Sequence, residues 1–133
     1  MWAEESVFYH IYPLGFCGCP QHNDFVSAAE HRLGKISAWL EHISSLGVNA
    51  LYLGPVFEAS AHGYDTADYL TVDRRLGTND DLKELVRLCH QRGIRVVLDG
   101  VFNHVGRNFW AFADVRRNRE NSPYCSWFKL NFD

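Results

Sequence analysis

The chain has 133 residues, enough for one small domain with a core, and 47% of them are hydrophobic and 14% aromatic, a globular composition and not a disordered one. A formal net charge of −3, with both signs scattered and no basic block, argues against nucleic-acid binding by phosphate neutralisation. No apolar run reaches the roughly 18 residues of a membrane helix, and "MWAEESVFYH" lacks a basic stretch followed by an apolar one, so the expected location is the cytoplasm.

"VFYHIYP" (7–13) is β-branched and aromatic and closes at Pro13, which predicts a first strand. A Gly/Cys/Pro loop, "GFCGCP", follows. Leu33, Ile36, Leu40, Ile43 and Leu46 then recur at helical spacing, with Trp39 alongside and Gly47 where such a helix would stop. "NALYLGPV" (49–56) predicts strand two, ended by Gly54-Pro55, and "HGYDTADY" falls in a long polar loop. Thr78 or Asn79 caps a second helix, with Asp80 and Asp81 in its first turn, where negative charge suits the helix dipole. Its apolar stripe is Leu82, Leu85, Val86 and Cys89, and Gly93 ends it. "IRVVLD" (94–99) predicts strand three, an unbroken apolar run of the kind buried on both faces. The remainder reads as irregular, 105–133 in particular, with a short helix starting near Trp110 and Phe112.

The four cysteines, Cys17, Cys19, Cys89 and Cys125, favour reduced core and loop thiols. A zinc site of Cys17, Cys19, His22 and His31 can be drawn, but its spacing matches no common zinc pattern.

Strand, helix, strand, helix, strand is an α/β pattern of parallel strands with crossover helices. In such folds chemistry gathers at the carboxyl ends of the strands. Asp99 stands at such an end, with Asn103 and His104 four and five residues on. Flat aromatic faces suit the C–H surface of sugars, and planar polar groups suit their hydroxyls.

In order, "YHIYPLGF", "HGYDTADY", "RLGTNDDLKELVRLCHQRGIRVVLD", "DGVFNH" and "NSPYCSWF" resemble the amino-terminal third of the α-amylase family catalytic barrel. "DGVFNH" is similar to the family's D-x-x-x-N-H motif after strand three. "HGYDTADY" and "NSPYCSWF" are most similar to the neopullulanase, cyclomaltodextrinase and maltogenic-amylase branch. The resemblance implies a partial (β/α)8 TIM barrel: about three parallel βα units, then the start of an irregular excursion. It further implies part of a retaining glycoside hydrolase or transglycosylase acting on α-1,4/α-1,6-linked glucan or maltooligosaccharide.

On the same resemblance, Tyr64 is a stacking platform for the sugar at the cleavage site. Asp99 holds the charge network there, pairing with an Arg near strand four, and His104 hydrogen-bonds the sugar's hydroxyls. Asn103 matches a position that supplies a calcium ligand in calcium-dependent members and is structural elsewhere; no other cofactor is implied. The nucleophile Asp, the acid Glu and a third Asp belong after strands four, five and seven, beyond Asp133, so no catalytic residue is expected within this chain. A full barrel takes about 250 residues, and the 133-residue piece is expected to be inactive alone.

Plainer readings stand beside these. Tyr64 could be an ordinary loop aromatic and Asp99 the cap of a turn. Asp65 and Asp68 suit side-chain-to-backbone bonds that hold their loop, and His10 and His62 read as strand and loop histidines. Arg116, Arg117 and Arg119 read as a solvated charge cluster. Arg74 stands where many relatives carry Pro, which bears on loop stiffness. The alternative function is a non-catalytic carbohydrate-binding or assembly module of the same fold; a self-contained small α/β protein is the third. Strands one and three should lack outer neighbours, so the piece should form a homo-oligomer, swap elements or depend on more chain.

Overall fold

The computed structural model describes residues 1–132. Along the chain the elements are β1 (Phe8–Ile11), a single turn α1 (Pro13–Phe16), α2 (Gly34–Ser45), β2 (Ala50–Leu53), β3 (Phe57–Ala59), β4 (Thr66–Val72), α3 (Asn79–Gln91), β5 (Arg95–Leu98) and α4 (Trp110–Asn118). Three short 3-10 turns, at Trp2–Glu5, Arg119–Asn121 and Cys125–Trp127, complete the list.

The three strands expected from the sequence form one parallel sheet in the order β1-β2-β5. Its register places His10 beside Tyr52 and Tyr52 beside Val97, and levels Ile11, Leu53 and Leu98 at the carboxyl ends. One face is packed: Leu33, Ile36, Leu40 and Ile43 on the α2 side and Leu85 and Cys89 of α3 are buried with Leu51, Leu53 and Ile94. The opposite face, which by alternation carries Phe8, His10, Tyr52 and Arg95, stays open.

Helix α3 starts where its sequence directs. The Thr78 hydroxyl accepts from the Asp81 N–H at 3.2 Å, and the Asp81 carboxylate accepts from the Thr78 N–H at 2.7 Å, a closed capping box. Thr78 is therefore the cap. Asn79 instead ties the helix to β4, accepting from Val72 N–H at 2.8 Å and donating to Leu70 C=O at 3.0 Å. Leu82 and Val86, read as part of the stripe, are half-buried, and Leu46, past the end of α2, is 53% exposed.

Two features differ from the sequence reading. Residues 57–72 are not a loop throughout: β3 and β4 pair antiparallel, with register shifts on both sides of Glu58. Those irregularities, and the Asp68 side chain bonding its own strand at Leu70 N–H (2.8 Å) and Thr71 hydroxyl (2.9 Å), break the two-residue alternation that marks a strand. Strand β5 is not buried on both faces: Arg95 and Leu98 are exposed and the two valines half-buried, because β5 lies at the edge of the sheet. Within 105–133 the short helix expected near Trp110 is present, nine residues long, with Ala111 and Val115 inward.

The polypeptide between β4 and α3 centres on a buried ion pair. Asp73 and Arg75 have side chains 1% and 5% exposed, with the guanidinium 2.7 Å from the carboxylate. Arg75 also donates to the carbonyls of Pro20 (3.0 Å), Gln21 (3.2 Å) and Ala61 (2.8 Å), and Asp73 accepts from Ala59 N–H at 3.1 Å. Beside it Arg74 binds Glu58 through its backbone N–H (2.8 Å) and its guanidinium (2.6 Å), two bonds that Pro at this position could not make.

Replacing Arg75 with Ala leaves the Asp73 carboxylate buried and unpaired, and is expected to lower stability by about 3–5 kcal/mol. Replacing both residues with apolar ones of similar volume should recover only part of that loss in urea denaturation, because the carbonyls of Pro20, Gln21 and Ala61 and the Ala59 N–H then lose their partners. A pH dependence also follows. Partial burial raises the Asp81 carboxyl, but bonds from Thr78 N–H, the Thr78 hydroxyl and His31 outweigh it and hold the group below its ordinary 3.8. A depressed carboxyl contributes stability above its unfolded value and loses it as pH falls through the folded one. Acid titration of unfolding should therefore show a loss below about pH 4 that is smaller in Asp81→Asn.

Candidate sugar-binding site at the strand tips

Parallel strands of matched length end together, so the residues just beyond them share one end of the sheet. Asp99 is the first residue past β5, and its N–H donates to Leu53 C=O at 3.0 Å, continuing the ladder by one bond. Its carboxylate accepts from the Tyr52 hydroxyl at 2.9 Å. That hydrogen bond, with burial and the Asp99 charge behind it, pushes the Tyr52 phenol above its ordinary range, so Tyr52 remains a donor. The Tyr52 ring stacks on His10 at 4.7 Å between centroids and 21° between planes.

Tyr64 reaches the same end from the β3–β4 connection. The residue is 41% exposed. The loop is fixed from three directions: Tyr12, just past β1, donates to His62 C=O at 2.9 Å; Asp65 accepts from Gly63 N–H at 3.2 Å; and His104 Nε2 lies 3.0 Å from Tyr64 C=O. The last contact requires the His104 ring to be protonated at Nε2. Gly63, at φ +90°, makes the turn that an L side chain would strain. The His62 ring and the Asp65 carboxylate both accept from backbone N–H groups of this loop.

The segment carrying His104 is held in turn by Tyr69 of β4. The Tyr69 hydroxyl binds Val101 C=O and lies 3.2 Å from His104 C=O, and its ring meets Phe57, Phe102 and Phe109. Gly106 donates to Thr66 C=O at 2.8 Å, and a Cβ at this residue would collide with the Asp65 carbonyl. Only glycine allows the two loops to approach this closely.

The expected site residues are therefore placed as follows. Tyr64 and His104 are in contact through a backbone carbonyl, and Asp99 is tied to the sheet through Tyr52. No hydrogen bond joins Asp99 to either of them among the described residues. The exposed Asn103 lines, with His104, Trp127 and Lys129, a pocket of about 500 Å³ on the α4 side. These residues do not fit a calcium ion: Asn103 offers one amide oxygen, the lining holds no carboxylate, and Lys129 brings an ammonium. Nor do three His, Cys, Asp or Glu come together as metal ligands among the described residues. His31, one of the four residues of the zinc scheme, pairs with Asp81 at 2.8 Å, and Cys17 is wholly buried.

Sequence reasoning missed Tyr52, Tyr12 and Tyr69. Tyr52 and Tyr12 were hidden in apolar strand patterns; an aromatic hydroxyl at or beside a strand tip was the available signal. Tyr69 was hidden with the hairpin. A platform ring, a carboxylate and an imidazole around one end of a sheet can bind and orient a hexose. Retaining cleavage additionally needs two carboxylates about 5 Å apart.

Residues 11–132 match the family model described as alpha amylase, catalytic domain. The chain is 43% identical to a cyclomaltodextrinase of a Bacillus species, over 97% of this chain and 26% of that protein. It is 39% identical to neopullulanase 2 of Thermoactinomyces vulgaris, over 96% of this chain and 24% of that one. Among solved structures, the cyclic α-maltosyl-(1→6)-maltose hydrolase of Arthrobacter globiformis superposes with a TM-score of 0.80 at 40% identity, over 97% of this chain and 32% of that one. The chain thus spans about a quarter of the length of the curated relatives it matches.

Replacing His104 with Ala removes the bond to Tyr64 C=O. Amides of residues 62–65 should then exchange with solvent about 3- to 10-fold faster, read by hydrogen-exchange NMR, with the amides of β2 unchanged.

Proposed function

The chain belongs to the α-amylase catalytic-domain family, and from that premise we propose that it is the amino-terminal part of the barrel of a retaining α-glucan hydrolase or transglycosylase. Its contribution is the sugar-binding side of the cleft. The observation that carries this reading is the pinned Tyr64 loop, joined through His104 to the segment that follows the strand-tip Asp99. The fold and sequence of enzymes named for cyclomaltodextrin and pullulan chemistry support the substrate class.

In this reading Tyr64 stacks beneath the hexose at the cleavage point, His104 donates to its hydroxyls, and Asp99 holds charge at the centre. The nucleophile and the acid lie in chain beyond Asp133. Bond cleavage proceeds by displacement on a covalent glycosyl-enzyme, whose two carboxylates must sit about 5 Å apart. The chain itself binds and orients; it moves no proton of the reaction. That division also favours a second reading, a carbohydrate-binding module without catalysis, because every placed residue is a binding group.

The 133-residue chain should bind maltooligosaccharides weakly, at roughly millimolar affinity, and Tyr64→Ala should weaken that binding at least several-fold in an NMR titration. Maltooligosaccharides, cyclodextrins and pullulan should survive incubation with the chain alone and be cleaved only when the remaining part of the barrel is supplied. Robust hydrolysis by the chain alone would falsify the division of labour, and binding indifferent to Tyr64 would remove the sugar site.

A further inference from the structure

At the foot of the Tyr64 loop, four successive carbonyls each meet a donor from a distant segment. Ala59 C=O accepts from the Asn23 amide at 3.0 Å and from the Arg75 guanidinium at 3.4 Å. Ser60 C=O accepts from Asn23 N–H at 2.9 Å, Ala61 C=O from Arg75 at 2.8 Å, and His62 C=O from the Tyr12 hydroxyl at 2.9 Å. Residues 60–62 belong to no strand, so no ladder sets their course. These bonds set it instead, and Tyr64 follows two residues later.

Arg75 differs from the other two donors in carrying a charge and in reaching both sides of the gap. Its Nη1 also donates to Pro20 C=O at 3.0 Å and to Gln21 C=O at 3.2 Å. Asp73 accepts from Nε at 2.8 Å and from Nη2 at 2.7 Å, so every nitrogen of the guanidinium is engaged. The side chain is 5% exposed, and little water can take over these oxygens. A planar fork with a permanent charge suits such a cage of oxygens, whereas a lysine ammonium brings a point charge and fewer donors.

We propose that Arg75 is the positioning residue of the Tyr64 platform: its guanidinium fixes the Ala59 and Ala61 carbonyls against the loop after α1, and the oxygens around it form a site selective for a planar guanidinium ion. The role of Tyr64 itself rests on the sugar-binding reading given under Proposed function. Asp73 belongs to the site as its counter-charge, and its bond from Ala59 N–H holds the same residue from the other side. A stacking platform is useful only if its backbone is held before the sugar arrives. Arg75 touches no substrate and acts through the backbone of residues 59–62.

Hydrogen-exchange NMR on the 133-residue chain and its Arg75→Ala variant tests this. Amides of residues 62–65 should exchange about 10-fold faster in Arg75→Ala than in the parent chain, after scaling to the amides of β2, which report global loosening. Guanidinium chloride at about 20 mM, far below the denaturing range, should restore most of that protection. Urea, planar but uncharged, and potassium chloride should not do so at the same concentration. Arg75→Lys, which keeps the charge and loses the fork, should resemble Arg75→Ala. Maltotriose should bind Arg75→Ala about 5-fold more weakly than the parent chain and regain its affinity with guanidinium. Exchange at 62–65 that rises only in step with β2, or rescue achieved equally by urea, potassium or calcium, overturns the proposal. So does maltotriose binding that depends on Tyr64 and is indifferent to Arg75→Ala. No maltotriose binding by the parent chain sinks the sugar site instead, and the exchange and its rescue still decide what Arg75 does. If Arg75→Ala does not fold, the parent chain supplies the measurement. Its Arg75 guanidinium N–H signals should be resolved and cross-relax with the α-protons of Pro20 and Ala61, and signals averaged by free rotation overturn the proposal.

Discussion

A buried charge has to be answered on all sides, and the Asp73–Arg75 pair is answered almost entirely by backbone. The guanidinium gathers carbonyls from the loop after α1 and from the β3–β4 connection, while the carboxylate takes the Ala59 N–H. Segments far apart in sequence are thereby fixed to one point without a shared sheet or helix. The cost of desolvating two ions is offset only when such bonds are all made, so the arrangement is all-or-none. The Tyr64 loop hangs directly from it, because Ala61, whose carbonyl Arg75 binds, is three residues before Tyr64. The site is therefore built on a polar keystone as much as on the apolar core beneath the sheet.

The apolar core and the polar keystone differ in how they can be seen from the sequence. Leu33, Ile36, Leu40 and Ile43 declare their helix by spacing, and Thr78 with Asp81 declares the next one by chemistry, because both signals are local. The parallel order of β1, β2 and β5 follows from the alternation of strands and helices. The hairpin of β3 and β4 gave no such signal. Its register shifts around Glu58, and Asp68 turns back on its own strand, so polar and apolar residues do not alternate. Nor does "VDRRLGT" reveal that one arginine is buried and its neighbour half-exposed; only the carbonyls brought from elsewhere distinguish them.

The same contrast runs through the candidate site. Tyr64, Asp99, Asn103 and His104 were visible because they fall within motifs resembling a known family. What the motifs could not convey is how the residues are held: His104 reaches a backbone carbonyl, and Asp99 is anchored through a tyrosine on another strand. Asn103 differs from the other three. Its motif position permits an ion, yet its surroundings place it beside Lys129 in a pocket without an acid. Position in a motif identifies a residue, while its neighbours decide its chemistry.

Gly106 gives the arrangement a further property. Because a methyl group there would strike the Asp65 carbonyl, the distance between the backbone at Asp65 and the segment after β5 is limited by an absence of atoms, not by an attraction. A side chain of any kind at that residue would act as a spacer, pushing the two segments apart while leaving Tyr64, Asp99 and His104 chemically intact. Spacing and chemistry at this end of the sheet are thus separately adjustable, and the first is controlled from a residue without a side chain.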